Sequence, residues 1–441
     1  MSRPPAAPRP PGTGLPFYSR YTRTLHLRAE ILNNLFAGVI GLAGAVARKG
    51  LDASELGITV LTTAGSASLL TAIFWSTAME GRSKRPFIVG SALVGRLSLV
   101  LMAFAVDPRV FIAICCVYFL SEPVFIPAQN ALLQANYHNS IRGTVFGTIT
   151  GISKIPFLLA AFSAGKILDA HPRAYLWLFP AAGALGTLAY LQYARIRIRR
   201  WEAPARARRP GVFASLANFL RIMRDDRDFD RFERNFMIYG MAFMIIQPVN
   251  VFLLIDDLQM SYGLYSLCTQ ILFQIIIAVT SRASGRLLDR IGAMRVAALS
   301  FTALVLHAGT LLLASVFHSI PLAFVAFGLF GVAMSGVNGA WSLGAMRFAG
   351  DRDAAAYMGA HVACVGFRGF FGPTLGYVLV LAFEHPAVGV PGLGIPAAYG
   401  IAAALFAIAA VAMARLGSRM EGSGSGPAAP APGKPAAIAA S

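Results

Sequence analysis

Acidic residues are scarce in this chain: 20 Asp and Glu stand among 441 residues, against 38 Lys and Arg, and charged residues together make up 13%. A soluble globular chain carries about 25%, so most of this one is not built to meet water. Cysteine is scarcer still. The four present, Cys115, Cys116, Cys268 and Cys364, fall inside apolar runs without metal-ligand spacing, so neither a disulfide framework nor a zinc site organises the fold. They read as small packing residues. No Gly-x-x-x-x-Gly-Lys-Ser/Thr string occurs, which disfavours an ATP-driven pump. No cluster of His and acidic residues suits a membrane enzyme, so neither enzymatic activity nor a cofactor or metal is expected. The first 16 residues are Pro-rich with no apolar core before a cleavage site, which argues against a signal peptide.

What the chain has instead is apolar length. Hydrophobic residues make up 56%, and the mean hydropathy is +0.62. A bilayer span needs about 20 largely apolar residues, and its backbone must satisfy itself, which selects helices for runs this long. Twelve runs meet the pattern, at 29–47, 56–78, 86–106, 109–133, 142–165, 174–194, 235–255, 262–283, 296–317, 320–345, 355–381 and 395–415. The net charge of +18 would suggest nucleic acid in a soluble protein, but its distribution points elsewhere. With both termini in the cytoplasm, inside segments hold 30 of the 38 Lys and Arg residues. The outside loops hold only Arg48, Lys49, Arg109, Lys166 and Arg173. That asymmetry is what the positive-inside rule requires of an even number of spans with cytoplasmic termini. The expected place is the cytoplasmic (inner) membrane, the partner is the lipid bilayer, and nucleic acid becomes unnecessary.

Between the eighth and ninth runs the chain reads Gly-Arg-Leu-Leu-Asp-Arg-Ile-Gly-Ala-Met-Arg. This resembles the signature loop of the major facilitator superfamily, with Gly285, Leu287, Asp289, Arg290 and Gly292 in the pattern and Arg295 as the trailing cation. A degenerate copy follows the second run: at an offset of 209 residues, Glu80 falls opposite Asp289 and Ser83 opposite Gly292, while Gly81 replaces the arginine. The resemblance implies an all-α membrane protein of twelve transmembrane helices in two pseudo-symmetric six-helix halves, with a solute site between them near midplane. The expected organisation is a cytoplasmic tail (1–28), a first half (29–194), a basic linker (195–234), a second half (235–416) and a disordered tail (417–441). Within the linker Phe213, Leu216, Leu220 and Met223 recur at steps of three and four, as an amphipathic surface helix requires. The resemblance also implies that the loop residues Gly285, Asp289, Arg290, Gly292 and Arg295, with Glu80, gate the cytoplasmic side.

A charge at the bilayer centre costs about 2.5–3.5 kcal/mol on insertion scales, so each needs a partner or a function. Arg96, Glu122, Lys154 and Arg368 stand deep in runs three, four, five and eleven. Glu122 and Lys154 lie 16 residues either side of His138 in the turn between their runs, which puts them at one depth. Glu122 reads either as a fixed salt bridge to Lys154 or Arg96, or as a proton-coupling carboxylate switched by a moving cation. It is the only acid expected deep in a span, and one acid against three bases leans toward an anionic solute. Arg368 is the candidate to grip it, beside a ridge of small residues at Gly366, Gly369, Gly372, Pro373 and Gly376 that permits close helix approach. That ridge is similar to the Gly-Pro antiporter motif of the superfamily's drug exchangers, but it sits on run eleven rather than run five. Further candidates for the cavity are Asn33, Asn34, Gln129, Gln247, Asn250, Gln270, Gln274, Asn338 and Trp341. His307 and His361 are expected to be structural or water-facing.

The sequence therefore leads to a monomeric secondary transporter of a small organic solute, working by alternating access with a proton as coupling ion. The competing reading is a non-transporting receptor or assembly factor on the same fold, which fold alone does not exclude.

Overall fold

The computed structural model describes residues 17–79, 82–137, 139–197, 221–349, 354–385 and 390–422. Ten of its helical stretches are long and apolar enough to cross a membrane. The described residues form α1 (Phe17–Ile40), α2 (Glu55–Ala67), α3 (Arg85–Ser91), α4 (Pro108–Asn136), α5 (Asn139–Ala170), α6 (Tyr175–Ala194), α7 (Arg227–Val251), α8 (Phe273–Val316), α9 (Ile320–Ala349), α10 (Ala354–Glu384) and α11 (Gly394–Gly422). Irregular helical turns extend several of these. A π turn at Val46–Gly50 ends the first run, tight turns at Ser68–Thr71 lead α2 into the helix Ala72–Ala78, and α3 runs on through Ala92–Arg96 to Phe104. The helix Tyr262–Ser266 and a π turn at Leu267–Leu272 feed α8.

Helix starts follow capping chemistry. Asp107 accepts from the backbone N–H of Arg109 at 2.6 Å ahead of Pro108, an N-cap with proline in the first turn. Ser54 caps α2 through Gly57 N–H at 3.2 Å, and Asp226 caps α7 through Phe229 N–H at 3.0 Å.

The twelve expected runs and the ten membrane-length helices differ for two reasons. The run at 56–78 is helical but not among the ten, and the eighth and ninth runs fall in one continuous stretch, Tyr262–Val316, of 55 residues. At about 1.5 Å per residue such a stretch would be about 80 Å long, far beyond the roughly 30 Å of hydrocarbon. It turns back on itself at Gly292, whose φ of 80° and ψ of 164° break the helix in the middle of α8. That backbone region is essentially closed to residues with a Cβ, so one glycine makes the corner. The expected linker also ends early: α7 starts at Arg227, not at 235. The surface helix at 213–223 lies outside the described residues up to 220, as do Glu80 and the tail from 423.

Helices α1 to α6 pack as one group and α7 to α11 as another. The groups meet where glycines strip the surfaces bare. A Cβ on Gly366 or Gly369 would stand 2.6 Å and 2.7 Å from Leu70 and Ser66 of the opposite group. Gly165 likewise admits Gly263 at 3.0 Å. Gly372 and Gly376 face α7 in their own group, at 2.3 Å from Met244 and 2.1 Å from the Ile245 carbonyl. The ridge read from the sequence thus serves two seams at once.

Candidate functional site

One end of the seam between the halves is closed by polar contacts. Arg48 Nε donates to both oxygens of Asp256, at 2.8 and 2.9 Å, and Lys49 Nζ donates to the Met260 carbonyl at 2.6 Å. Asp169, at the end of α5, accepts from Ser261 Oγ and from the Gly263 N–H, both at 3.0 Å. It sits at the N-terminus of the Tyr262 helix, where the helix dipole favours negative charge. Glu55 lies beside this cluster: burial raises its carboxyl above the usual range, Arg48 draws it down, and Asp256 and Glu384 push it further up.

Deeper, Ser66 Oγ donates to Gln247 Oε1 at 3.0 Å, Ser266 Oγ to the Ala161 carbonyl at 2.8 Å, and the Gln270 side chain fills the notch at Gly41. Gln247 and Gln270, both expected in the cavity, therefore bridge or abut the two halves. Toward the opposite end, no hydrogen bond or ion pair joins α5 to α8 among the described residues. Ile152, Ile155, Ile275 and Val279 are exposed, as are Gly285, Asp289, Arg290 and Arg295. Among the described residues Asp289 and Arg290 make no ion pair. Among the described residues, the polar contacts that join the halves gather at the Arg48 end, and the 285–295 loop stands exposed at the other.

In the first half, Glu122 pairs with Arg96. Arg96 donates from Nε and Nη2 to the two Glu122 oxygens at 3.0 Å each, a fork-to-fork geometry that Lys cannot make. A third nitrogen reaches Asn33 Oδ1 at 2.7 Å, and Tyr190 OH donates to Glu122 Oε2 at 2.9 Å. The guanidinium lies between rings, 3.5 Å from the Tyr190 centroid and 4.5 Å from that of Phe36, and is 3% exposed. The Glu122–Lys154 pair suggested by equal depth does not form. Lys154 instead stands half-buried above the Phe157 ring at 5.2 Å, with no ion pair among the described residues. Depth along the chain fixed its height but not the direction it faces.

A second acid occupies this half. Glu30 accepts from Asn34 Nδ2 at 3.2 Å, from Gln129 Nε2 at 3.2 Å and from the Tyr193 hydroxyl. Gln129 also donates to Tyr193 OH at 2.7 Å. Asn34 and Gln129, expected as cavity residues, thus converge on a carboxylate that the sequence reading passed over. α1 begins at Phe17, twelve residues before the apolar run, so Glu30 lies well inside a helix rather than at its edge.

The second half holds a third acid. Glu233 of α7 and His361 of α10 are fully buried, with Nδ1 to Oε1 at 2.7 Å. Trp341 of α9 lies 5.2 Å from the His361 ring. Arg368 is 4% exposed, donates from Nη1 to the Phe236 carbonyl and lies over the Tyr239 ring at 5.5 Å. Its guanidinium occupies the notch left by Gly240, so it faces α7 within its own half. Asn250 turns to α11, accepting from Tyr399 OH at 2.8 Å. Gln274 is half-buried and Asn338 exposed. His307 is buried with Nδ1 2.8 Å from the Ala326 carbonyl, a structural position.

Glu122 is therefore not the only acid within the spans, and the charge balance changes. Three carboxylates, Glu30, Glu122 and Glu233, stand against three cations, Arg96, Lys154 and Arg368. The excess of positive charge that favoured an anionic solute is gone. Glu233 was legible: Asp226 followed by Asp228 and Asp230 is an N-cap with an acidic first turn, which starts the helix early enough to carry Glu233 inside.

A family model described as Major Facilitator Superfamily matches residues 29–373. Among solved structures, the chain is similar to the nucleoside transporter NupG (D323A mutant), with TM-score 0.68 and 15% identity over 90% of this chain and 99% of that one. A POT family transporter in complex with 5-aminolevulinic acid gives TM-score 0.69 and 11% identity, covering 92% and 97%. A bacterial homolog of the human lysosomal transporter Spinster, inward-facing and unoccupied, gives 0.61 and 13%, covering 92% and 96%. At these identities the likeness is one of fold. No curated protein sequence matches the chain.

Proposed function

The chain belongs to the major facilitator superfamily, and from that membership and the geometry above we propose that it is a secondary active transporter moving a small polar organic solute by alternating access. The observation that supports the reading is the asymmetric seam: Arg48–Asp256, Lys49 and Asp169 join the halves at one end, while the 285–295 loop is exposed at the other and we infer that the halves part there. With the termini and that loop in the cytoplasm, as the distribution of Lys and Arg favours, this is the inward-open state. Asp289 and Arg290 are then the free half of a second latch that engages when the cavity faces outward.

Solute recognition is assigned to the polar wall of the first half, where Glu30, Asn34, Gln129 and Lys154 offer both acceptors and donors. A solute with an ammonium or hydroxyl at one end and an acceptor at the other matches that wall. The balanced charge supports neither a strongly anionic nor a strongly cationic cargo. Glu122, with both oxygens bound by Arg96 and one also by Tyr190, is assigned to bracing the first half rather than to carrying protons.

The test has two stages. A panel of amino acids, nucleosides, organic acids and amines is screened for thermal stabilisation of the purified protein, and each hit is followed in counterflow across vesicles. Counterflow that Lys154→Met or Glu30→Gln weakens supports the assignment. Hits that bind, yet cross vesicles with protein no faster than vesicles without it, would establish the receptor reading instead.

A further inference from the structure

The stripes Glu233, Phe236, Gly240 on α7 and His361, Cys364, Arg368 on α10 are each spaced by about one and two helical turns, so they face one another along the contact of these helices. At one end Glu233 Oε1 meets His361 Nδ1 at 2.7 Å. Seven residues along, about 10 Å on, Arg368 reaches back to the Phe236 carbonyl. Phe232, Phe236 and Trp341 wall the pair, with Phe348 behind Phe232. Among the described residues, Glu233 Oε2, His361 Nε2 and Arg368 Nε are buried with no hydrogen-bond partner. Three orphaned polar atoms along one helix contact are unusual for a purely structural role, because each costs about 1–3 kcal/mol to leave unpaired.

We propose that Glu233 and His361 form a proton-binding site, taking one proton from water and sharing it between Oε1 and Nδ1. The inference rests on the transport reading in naming the proton as coupling ion, but the binding itself does not.

The electrostatics explain what the proton does. Without it, Glu233 is an anion that answers the buried charge of Arg368, with His361 neutral, and the pocket is balanced. With it, the pocket carries one net positive charge in surroundings that solvate it poorly. The groups facing the dyad do not offset this. Phe232 and Phe236 come from α7, Cys364 and, farther along, Arg368 from α10, and Trp341 from α9. Proton loading therefore favours a conformation in which the contact of α7 and α10 loosens and water reaches it. Since α10 also carries Gly366 and Gly369 on the seam with the first half, its movement is transmitted to the closed end. A ligand shifts such an equilibrium only by its differential affinity for the two states, and the net charge supplies that difference.

The experiment is infrared difference spectroscopy of the full-length protein in lipid, titrated from alkaline to acid pH with the proton as the only ligand. A carboxyl C=O band and an imidazole band should change over one common pH interval. Both should vanish in Glu233→Gln, and in His361→Asn, which keeps an amide near the Nδ1 position, the imidazole change should vanish and the carboxyl should titrate in a different interval. Glu233→Asp, which keeps an acid, serves if the amide variant fails to fold, and should shift both bands together. Bands that persist unaltered in the variants, or a wild type with no titrating carboxyl over the pH range in which it stays folded, would overturn the assignment. Because no solute enters the measurement, failed counterflow would sink the transport reading while leaving this one standing.

Discussion

The bidentate contact of Arg96 with Glu122 sets the expected behaviour of that carboxylate. Arg96 is 3% exposed and Glu122 25%, so removing the carboxylate leaves a buried guanidinium without its counter-charge; a fully buried pair costs about 3–5 kcal/mol to break and this one less, whereas replacing both partners by apolar groups is often neutral or stabilising. Glu122→Gln should therefore lower the unfolding midpoint of the purified protein markedly, and Glu122→Leu combined with Arg96→Met should recover most of the loss. Lys154→Met, which breaks no ion pair, should change it little. If Glu122→Gln unfolds like the wild type, the brace assignment is wrong. Arg96 and Glu122 were both legible as charges in apolar runs, and their pairing was one of two readings left open. What the sequence hid was direction: residues 16 positions either side of a turn share a height, but helix rotation decides which neighbour they face. Glu30 and Glu233 escape hydropathy for a different reason, although capping chemistry marks the second. The first turns of α1 and α7 are polar, and hydropathy marks the apolar part of a helix, not its start.

Among the elements, α8 depends most on a single position. Gly292 sits at φ 80° and ψ 164°, a region whose occupation by other residues costs about 1–3 kcal/mol. Gly292→Ala should cost about that much and reshape the loop, read as a lower unfolding midpoint and faster proteolysis at Arg290 and Arg295. Gly285 belongs to the same motif, yet a Cβ there meets nothing within 4 Å and its φ is not positive. Gly285→Ala should leave the midpoint unchanged or slightly higher, since Ala is the better helix former. Equal effects of the two substitutions would show that the corner is not made by backbone conformation. The motif in the sequence announced a turn between two runs, and the structure reduces that turn to one residue. The ridge on α10 was legible as a close approach, but not that it serves α2 on one side and α7 on the other.

For the whole molecule, an all-helical membrane protein of this family could be read from hydropathy, charge and the repeated loop, because lipid forces length and polarity into the sequence. The state of the seam could not. Which end is shut depends on contacts between residues some 200 positions apart, such as Arg48 and Asp256. If that pair latches the closed end, Arg48→Asp should loosen it and the swap Arg48→Asp with Asp256→Arg should restore it. Spin-label distances across that end are the measurement, and a swap no tighter than the single variant would dismiss the pair as a latch. Arg48 and Asp256 are also 19% and 31% exposed, and on the transport reading proposed above the water they touch belongs to one compartment alone. Salt weakens an ion pair that water reaches, and the ions that reach this pair come from one side of the bilayer. Salt added to that side should favour opening there, while the same salt on the other side should leave the pair untouched. The resting orientation of the protein would then be a reading of the ionic strength of a single compartment, a rectifying property that follows from where one arginine meets one aspartate.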